Sequence, residues 1–245
     1  MPRMNKWLAD RLLGLFSGMI HPVQVSSIEQ LADQLKRIRF SGEFTGVTYE
    51  AGYDIEFRIS DEEFRHYTPA WFDPEAGHCD VIFYLHNLGL GSRWVEQLQV
   101  GDTLDLMGPG NKVAYLTGCT RHVIFGDASS LGFARALSSR ASSDGLAAHC
   151  LLELDTAHHS WPDKVGIQAD IIDADAIGAG GTGNGGASAA SFSNYDYLQP
   201  DANTAYYLTG RARSIQSIKK FLKEAGASRK QVQTSPYWAD GKHGL

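Results

Sequence analysis

The hydrophobic pattern changes period near residues 111–120, and that change commits the chain to two different architectures in succession. From about residue 20 to 113 the apolar residues come in short runs separated by turns. Leu35-Lys36-Arg37-Ile38-Arg39-Phe40 alternates apolar with basic side chains, as a strand with one wet face does. Val81-Ile82-Phe83-Tyr84-Leu85 is a wholly apolar run of strand length, rich in β-branched and aromatic residues. Ser41-Gly42, Ala51-Gly52 and Glu75-Ala76-Gly77 punctuate the runs, and Gly101 to Gly110 reads as turn, strand, turn. Many short strands at regular spacing predict a closed antiparallel β-barrel.

After residue 118 strands alternate with helices. His122-Val123-Ile124-Phe125 reads as a strand, Gly126-Asp127-Ala128-Ser129 as a turn, and Leu131 to Ala141 as a helix. Strands are also expected at 150–154, 168–172 and Thr204 to Leu208, the last running into Thr209-Gly210 and a helix that Ser214 would cap. In that helix Ile215, Ile218, Phe221, Leu222 and Ala225 would face inward, with Lys219, Lys220 and Lys223 pointing away. Such units build a Rossmann-like parallel sheet, which binds ligands at the carboxyl ends of its strands. The domains expected are therefore 1–113, a barrel with an N-terminal helix, and 119–245, an α/β domain with a C-terminal tail. Gly178-Ala179-Gly180-Gly181-Thr182-Gly183 matches the dinucleotide pattern G-x-G-x-x-G, but Asn184-Gly185-Gly186-Ala187-Ser188-Ala189 follows instead of an apolar helix. The segment 178–191 reads as a flexible surface loop.

Composition narrows the function classes. A hydrophobic content of 43% with 20% charged residues suits a soluble globular protein. The net charge of −6 argues against nucleic acid as a partner. Charge is unevenly spread: residues 151–200 carry seven acidic side chains against one Lys, and residues 201–245 carry eight basic against three acidic. Cys79, Cys119 and Cys150 lack metal-ligand spacing and read as buried thiols of a reducing compartment. Trp7, Leu8, Leu12, Leu15, Phe16 and Met19 fall at near-helical spacing, broken by Lys6, Asp10 and Arg11. That is an amphipathic helix, well short of the roughly 20 apolar residues of a membrane span. The expected location is cytoplasmic.

Two short blocks carry the chemistry. In Arg65-His66-Tyr67-Thr68 a guanidinium can hold a phosphate, an aromatic can cover a flat ring, and a hydroxyl can hydrogen-bond its edge. In His86-Asn87-Leu88-Gly89-Leu90-Gly91-Ser92-Arg93-Trp94 the glycines allow backbone N–H groups to approach a second phosphate. Together they read as two halves of a flavin dinucleotide site.

These blocks resemble the siderophore-interacting protein family, a branch of the ferredoxin–NADP reductase-like flavoenzymes. The resemblance extends through Gly101 to Gly110, Phe125 to Leu131, Tyr206 to Leu222 and Pro236 to Leu245. It implies an FAD-binding barrel followed by an NAD(P)-binding domain. It places Arg65 on flavin phosphate, Tyr67 against the isoalloxazine or ribityl chain, and Thr68 near N5 as the catalytic hydroxyl. Gly89, Gly91 and Ser92 would form the pyrophosphate turn, with His86 near the cofactor and Trp94 supporting the turn. Gly126, Asp127, Ser129 and Gly210 would meet the nicotinamide half of NADH or NADPH, Trp238 would stack near the flavin, and Lys242 would attract an anionic substrate. The sequence departs from the family pattern at Ala70, where relatives often carry a basic residue, and at Gly89-Leu90-Gly91, where they usually show Gly-Pro-Ala. It departs again at Arg211, where many carry Glu; Arg211 with Arg213 would suit a 2′-phosphate or equally face solvent, which leaves the choice of NADH or NADPH open. The implied activity is NAD(P)H-dependent reduction of a ferric siderophore through FAD, in a cleft between the domains. A reductase of the same architecture serving ferredoxin or another acceptor, and a carrier that holds a ferric chelate or FAD without turnover, stand as alternatives.

Overall fold

The computed structural model describes residues 19–86, 89–110, 112–174 and 189–241. The expected N-terminal helix up to residue 18, most of the glycine-rich loop and Lys242 lie outside the described residues. The chain divides into two compact units between Ala114 and Tyr115.

The first unit contains strands β1 (Ile20–Ala32), β2 (Leu35–Gly42), β3 (Asp54–Arg58), β4 (Phe64–Tyr67), β5 (Trp71–Asp73), β6 (His78–Tyr84) and β7 (Thr103–Gly110), and one helix, α1 (Leu90–Gln97). The strands form one antiparallel sheet in the order β4-β3-β7-β1-β2-β6-β5. Its two edge strands, β4 and β5, are separated in sequence by only Thr68, Pro69 and Ala70. Four Cα steps reach at most about 14 Å, whereas a flat sheet of seven strands would be about 29 Å across. The sheet must therefore roll until its edges nearly meet. The expected barrel forms, but no β4–β5 ladder closes it among the described residues, so a seam remains there. The core inside the roll includes Val25, Ile38, Phe40, Phe57, Val81 and Leu106, each 0% exposed. On β2 the intervening basic residues turn outward to partners: Arg37 pairs with Glu29, and Arg39 Nε lies 2.6 Å from Asp80 Oδ1. The turn expected at the end of the Gly101–Gly110 segment is strand instead, since β7 continues to Gly110 through a cis Gly108–Pro109 bond.

The second unit contains β8 (Arg121–Asp127), α2 (Leu131–Ser143), β9 (Ala147–Leu154), α3 (Trp161–Lys164), β10 (Ala169–Asp173), α4 (Ala189–Phe192), β11 (Thr204–Arg211), α5 (Ala212–Glu224) and β12 (Val232–Trp238). All strands are parallel, in the order β10-β9-β8-β11-β12. Every residue of β11 from Thr204 to Gly210 is buried, as a central parallel strand covered on both faces requires. The strand order reverses between β8 and β11, so the ligand crevice of such a sheet lies at their carboxyl ends.

Four local expectations are corrected. Helix α5 begins at Ala212 directly after β11, with Arg211 as its N-cap residue, so Ser214 is buried in the first turn and caps nothing. Ala225 is exposed at the helix end, while Ile215, Ile218 and Leu222 bury the inner face. Residues 189–191, read as loop, start α4. Cys79 and Cys150 are buried thiols, but Cys119 is only half-buried. Among the described residues no helix is long and apolar enough to cross a membrane.

Phe57 packs against Phe40, Trp94 and Tyr67 at ring separations of 4.8, 5.4 and 6.3 Å. Phe57→Ala should cost about 3–5 kcal/mol, read as a lower urea midpoint at unchanged slope.

Candidate functional site

In the first unit the two chemistry-bearing blocks converge. Cross-strand pairing of Phe57 with Arg65 and of Ile55 with Tyr67 puts Arg65 and Tyr67 on the core-side face of β4. Gly91 in the first turn of α1 comes up against both: a Cβ there would sit 2.9 Å from the Tyr67 hydroxyl and 3.7 Å from Arg65 Cγ. Only a residue without a side chain allows that approach.

Helix α1 was not expected, because its glycines read as a turn. Trp94, Val95 and Leu98, at helical distances from Leu90, were the available signal. Gly89 is its N-cap residue, with extended backbone and no side-chain cap, and no acidic residue occupies the first turn. The N-terminal N–H groups are thus uncapped by any side chain of the helix, and the helix dipole adds positive potential there. Ser92 is buried within this turn and Arg93 is exposed beside it.

Arg65 lies 3.6 Å from Glu63 and donates to the Phe64 carbonyl at 2.8 Å. The Tyr67 ring packs with Phe83 (4.8 Å), Phe57 (6.3 Å) and Trp94 (6.4 Å), and its hydroxyl reaches the helix terminus at Gly91. Burial raises its pKa, against the pull of Arg65, and the phenol stays protonated. Thr68 follows the strand, half-buried. His86 is exposed, against the edge of Tyr84 at 5.8 Å and close enough to Gly89 that a Cβ there would meet its ring at 3.0 Å. Trp94 packs on the core side against Phe57, Tyr67 and Phe83.

The other face of β4 carries a cluster that sequence reasoning missed. His66 Nδ1 lies 2.9 Å from Asp54 and Nε2 3.3 Å from Glu56, while Lys112 Nζ lies 3.2 Å from Asp54. Burial pushes the Glu56 carboxyl up. For Asp54 burial is outweighed by His66 and Lys112, which hold the carboxyl below its ordinary value.

In the second unit Asp127 gathers the carboxyl ends of three strands. Its Oδ1 accepts from the Ser129 N–H at 2.9 Å and the Ser129 hydroxyl at 2.5 Å. Its Oδ2 accepts from the Arg211 N–H at 2.8 Å and the Trp238 indole N–H at 2.8 Å. Burial pushes this carboxyl up, against hydrogen bonds that favour the anion. Two glycines make room. A Cβ on Gly126 would lie 2.4 Å from Ser130 Cβ, and one on Gly210, whose φ is +91°, would lie 2.5 Å from Asp127 Oδ2. Ser129 spends its hydroxyl proton on Asp127 and keeps lone pairs to accept with.

Trp238 is 41% exposed, with the Arg211 guanidinium 5.3 Å from its ring centre. Arg211 in turn grips Asp240 through both carboxylate oxygens, at 2.8 and 2.9 Å. The basic group that sequence reasoning offered to a 2′-phosphate is therefore already engaged. Gly126, Asp127, Ser129, Gly210 and Trp238 meet at one edge, and Lys242 lies outside the described residues.

A rolled antiparallel sheet followed by this parallel sheet is the ferredoxin reductase-like fold. The chain belongs to the siderophore-interacting protein family: residues 60–113 match the siderophore-interacting FAD-binding domain, and residues 119–241, half of the chain, match the siderophore-interacting protein model. Among solved structures, a siderophore utilization protein from T. fusca is 19% identical with a TM-score of 0.71, covering 92% of this chain and 95% of that one. The siderophore-interacting protein from Acinetobacter baumannii is 17% identical with a TM-score of 0.69, covering 91% of each chain. NADH-cytochrome b5 reductase 1 of Aspergillus terreus is 36% identical over 62 residues, spanning 25% of this chain and only 21% of that relative.

Gly210→Ala would force a side chain into the left-handed region and against the Asp127 carboxylate. It should destabilise the second unit by about 1–3 kcal/mol and accelerate hydrogen exchange at the Arg211 amide, measured by NMR.

Proposed function

We propose that the protein is an FAD-dependent reductase that takes hydride from NAD(P)H and reduces the iron of a ferric siderophore. The observation that carries this reading is the approach of Arg65 and Tyr67 to Gly91 at the uncapped N-terminus of α1. A pyrophosphate fits there, because a helix start without a side-chain cap or an acidic first turn presents N–H donors and positive potential. FAD, when bound, supplies the exchange between a two-electron hydride and single-electron transfers to iron.

The chain's own residues bind and orient. Gly89, Gly91 and Ser92 would offer backbone N–H groups to the pyrophosphate, Arg65 and Arg93 would add charge, and the protonated Tyr67 hydroxyl would donate. His86 would border the phosphate side, and Thr68 would place its hydroxyl at the flavin ring edge as the residue nearest the reacting atoms. In the second unit Gly126 and Gly210, whose missing side chains make room for Ser130 and Asp127, would border the nicotinamide ring. Ser129 would accept from the carboxamide, and Trp238, held by Asp127, would shield a ring face. Lys242 would draw in the anionic chelate. One NAD(P)H reduces two Fe(III) to Fe(II) and yields NAD(P)+ and one proton. Fe(II) is held less tightly than Fe(III) by hard anionic oxygen donors, so reduction releases the metal. In this reading residues 1–113 form the FAD domain, 119–245 the NAD(P) domain, and the work is done in the cytoplasm.

A second acceptor class is favoured by one observation, the match of part of the chain to NADH-cytochrome b5 reductase 1. In that reading the same site would pass electrons to ferredoxin or a haem protein.

An anaerobic titration tests the proposal. Protein loaded with FAD should lose its visible flavin band on addition of NADH or NADPH and regain it with a ferric siderophore. Failure to take up FAD would overturn the reading, and flavin that neither nucleotide bleaches would make the protein a carrier. Arg65→Ala should weaken FAD about 10- to 100-fold, the equivalent of one charge-assisted hydrogen bond, measured by quenching of flavin fluorescence.

A further inference from the structure

We infer that the second unit selects NADH over NADPH, and that Asp155 at the end of β9 is the residue that decides it. This rests on the reading of that unit as a nicotinamide nucleotide domain and adds the discrimination.

The sheet order settles where the adenosine ribose would lie. In a sheet of order 3-2-1-4-5 the dinucleotide crosses the carboxyl ends near the first strand–helix turn, and its ribose reaches the end of the second strand. Here β8 is the first strand and β9 the second, aligned so that Asp127 pairs with Glu153. Asp155 stands just beyond β9 with its side chain 53% exposed. Its neighbour β10 ends at Asp173, in register with Leu154. Near these carboxylates His158 Nδ1 lies 3.7 Å from Asp155, and Thr156 Oγ1 donates to Asp173 at 3.2 Å, with His159 Nε2 at 3.8 Å.

A carboxylate at this place accepts hydrogen bonds from the 2′-hydroxyl of NADH. The 2′-phosphate of NADPH would bring a charge of about −1.5 to −2 to the same place and meet repulsion. NADP-binding sites of this fold meet that charge with arginine. From residue 151 to 200 this chain has no arginine, and its one lysine is Lys164. Arg211, on the far side of the switch point, is committed to Asp240 through both oxygens.

Calorimetric titration of the FAD-loaded protein with NAD+ and with NADP+ tests this without turnover, since neither reduces oxidised flavin. NAD+ should bind at least about tenfold more tightly at low salt, where like-charge repulsion is least screened. In Asp155→Arg the ratio should collapse or invert, while Asp155→Asn should narrow it. Equal or tighter binding of NADP+ to the unaltered protein would overturn the inference and leave the nucleotide reading intact. An unchanged ratio in a folded Asp155→Arg protein would overturn the assignment to Asp155. Binding of neither nucleotide would overturn the inference and the reading beneath it together.

Discussion

One buried carboxylate organises the carboxyl edge of the second unit. Asp127 accepts four hydrogen bonds from three stretches of chain, two of its partners lying 84 and 111 residues away. Without it the ends of β8, β11 and β12 would each present donors with no common acceptor. Burying an anion in this way is stabilising only because each oxygen is satisfied twice. The flanking glycines follow from that demand: Gly126 lets Ser130 close under the strand end, and Gly210 lets the Arg211 amide reach the carboxylate.

The first unit solves its own geometric demand differently. Three residues connect opposite edges of a seven-stranded sheet, so the roll is imposed by chain length before packing begins. The apolar face then has somewhere to go. The same roll brings Arg65 and Tyr67 on an edge strand up to the start of α1, joining segments that are separated in sequence by the whole of β5 and β6.

Much of this was readable from periodicity. The alternation at 35–40 and the apolar run at 81–85 both correspond to strands of the structure, because each depends on neighbouring residues alone. Helix α1 was lost because glycines that admit Tyr67 look, in sequence, like turn formers. Ser214 was misread because β11 enters α5 without the turn that an N-cap serine would mark. The Asp127 network and the His66 cluster were illegible for another reason. Both depend on register between distant strands, such as the pairing of Glu56 with His66, and no local pattern records it. Arg211 shows the same lesson in charge: its meaning changed once Asp240 was found against it.

The seam of the barrel has a consequence for the protein's behaviour between synthesis and cofactor loading. Since β4 is an edge strand among the described residues, one row of its backbone amides and carbonyls lies outside the ladders described, and such rows invite strand addition from another molecule. A dinucleotide lying along β4 would cover that row, so the prosthetic group would also act as a guard against self-association.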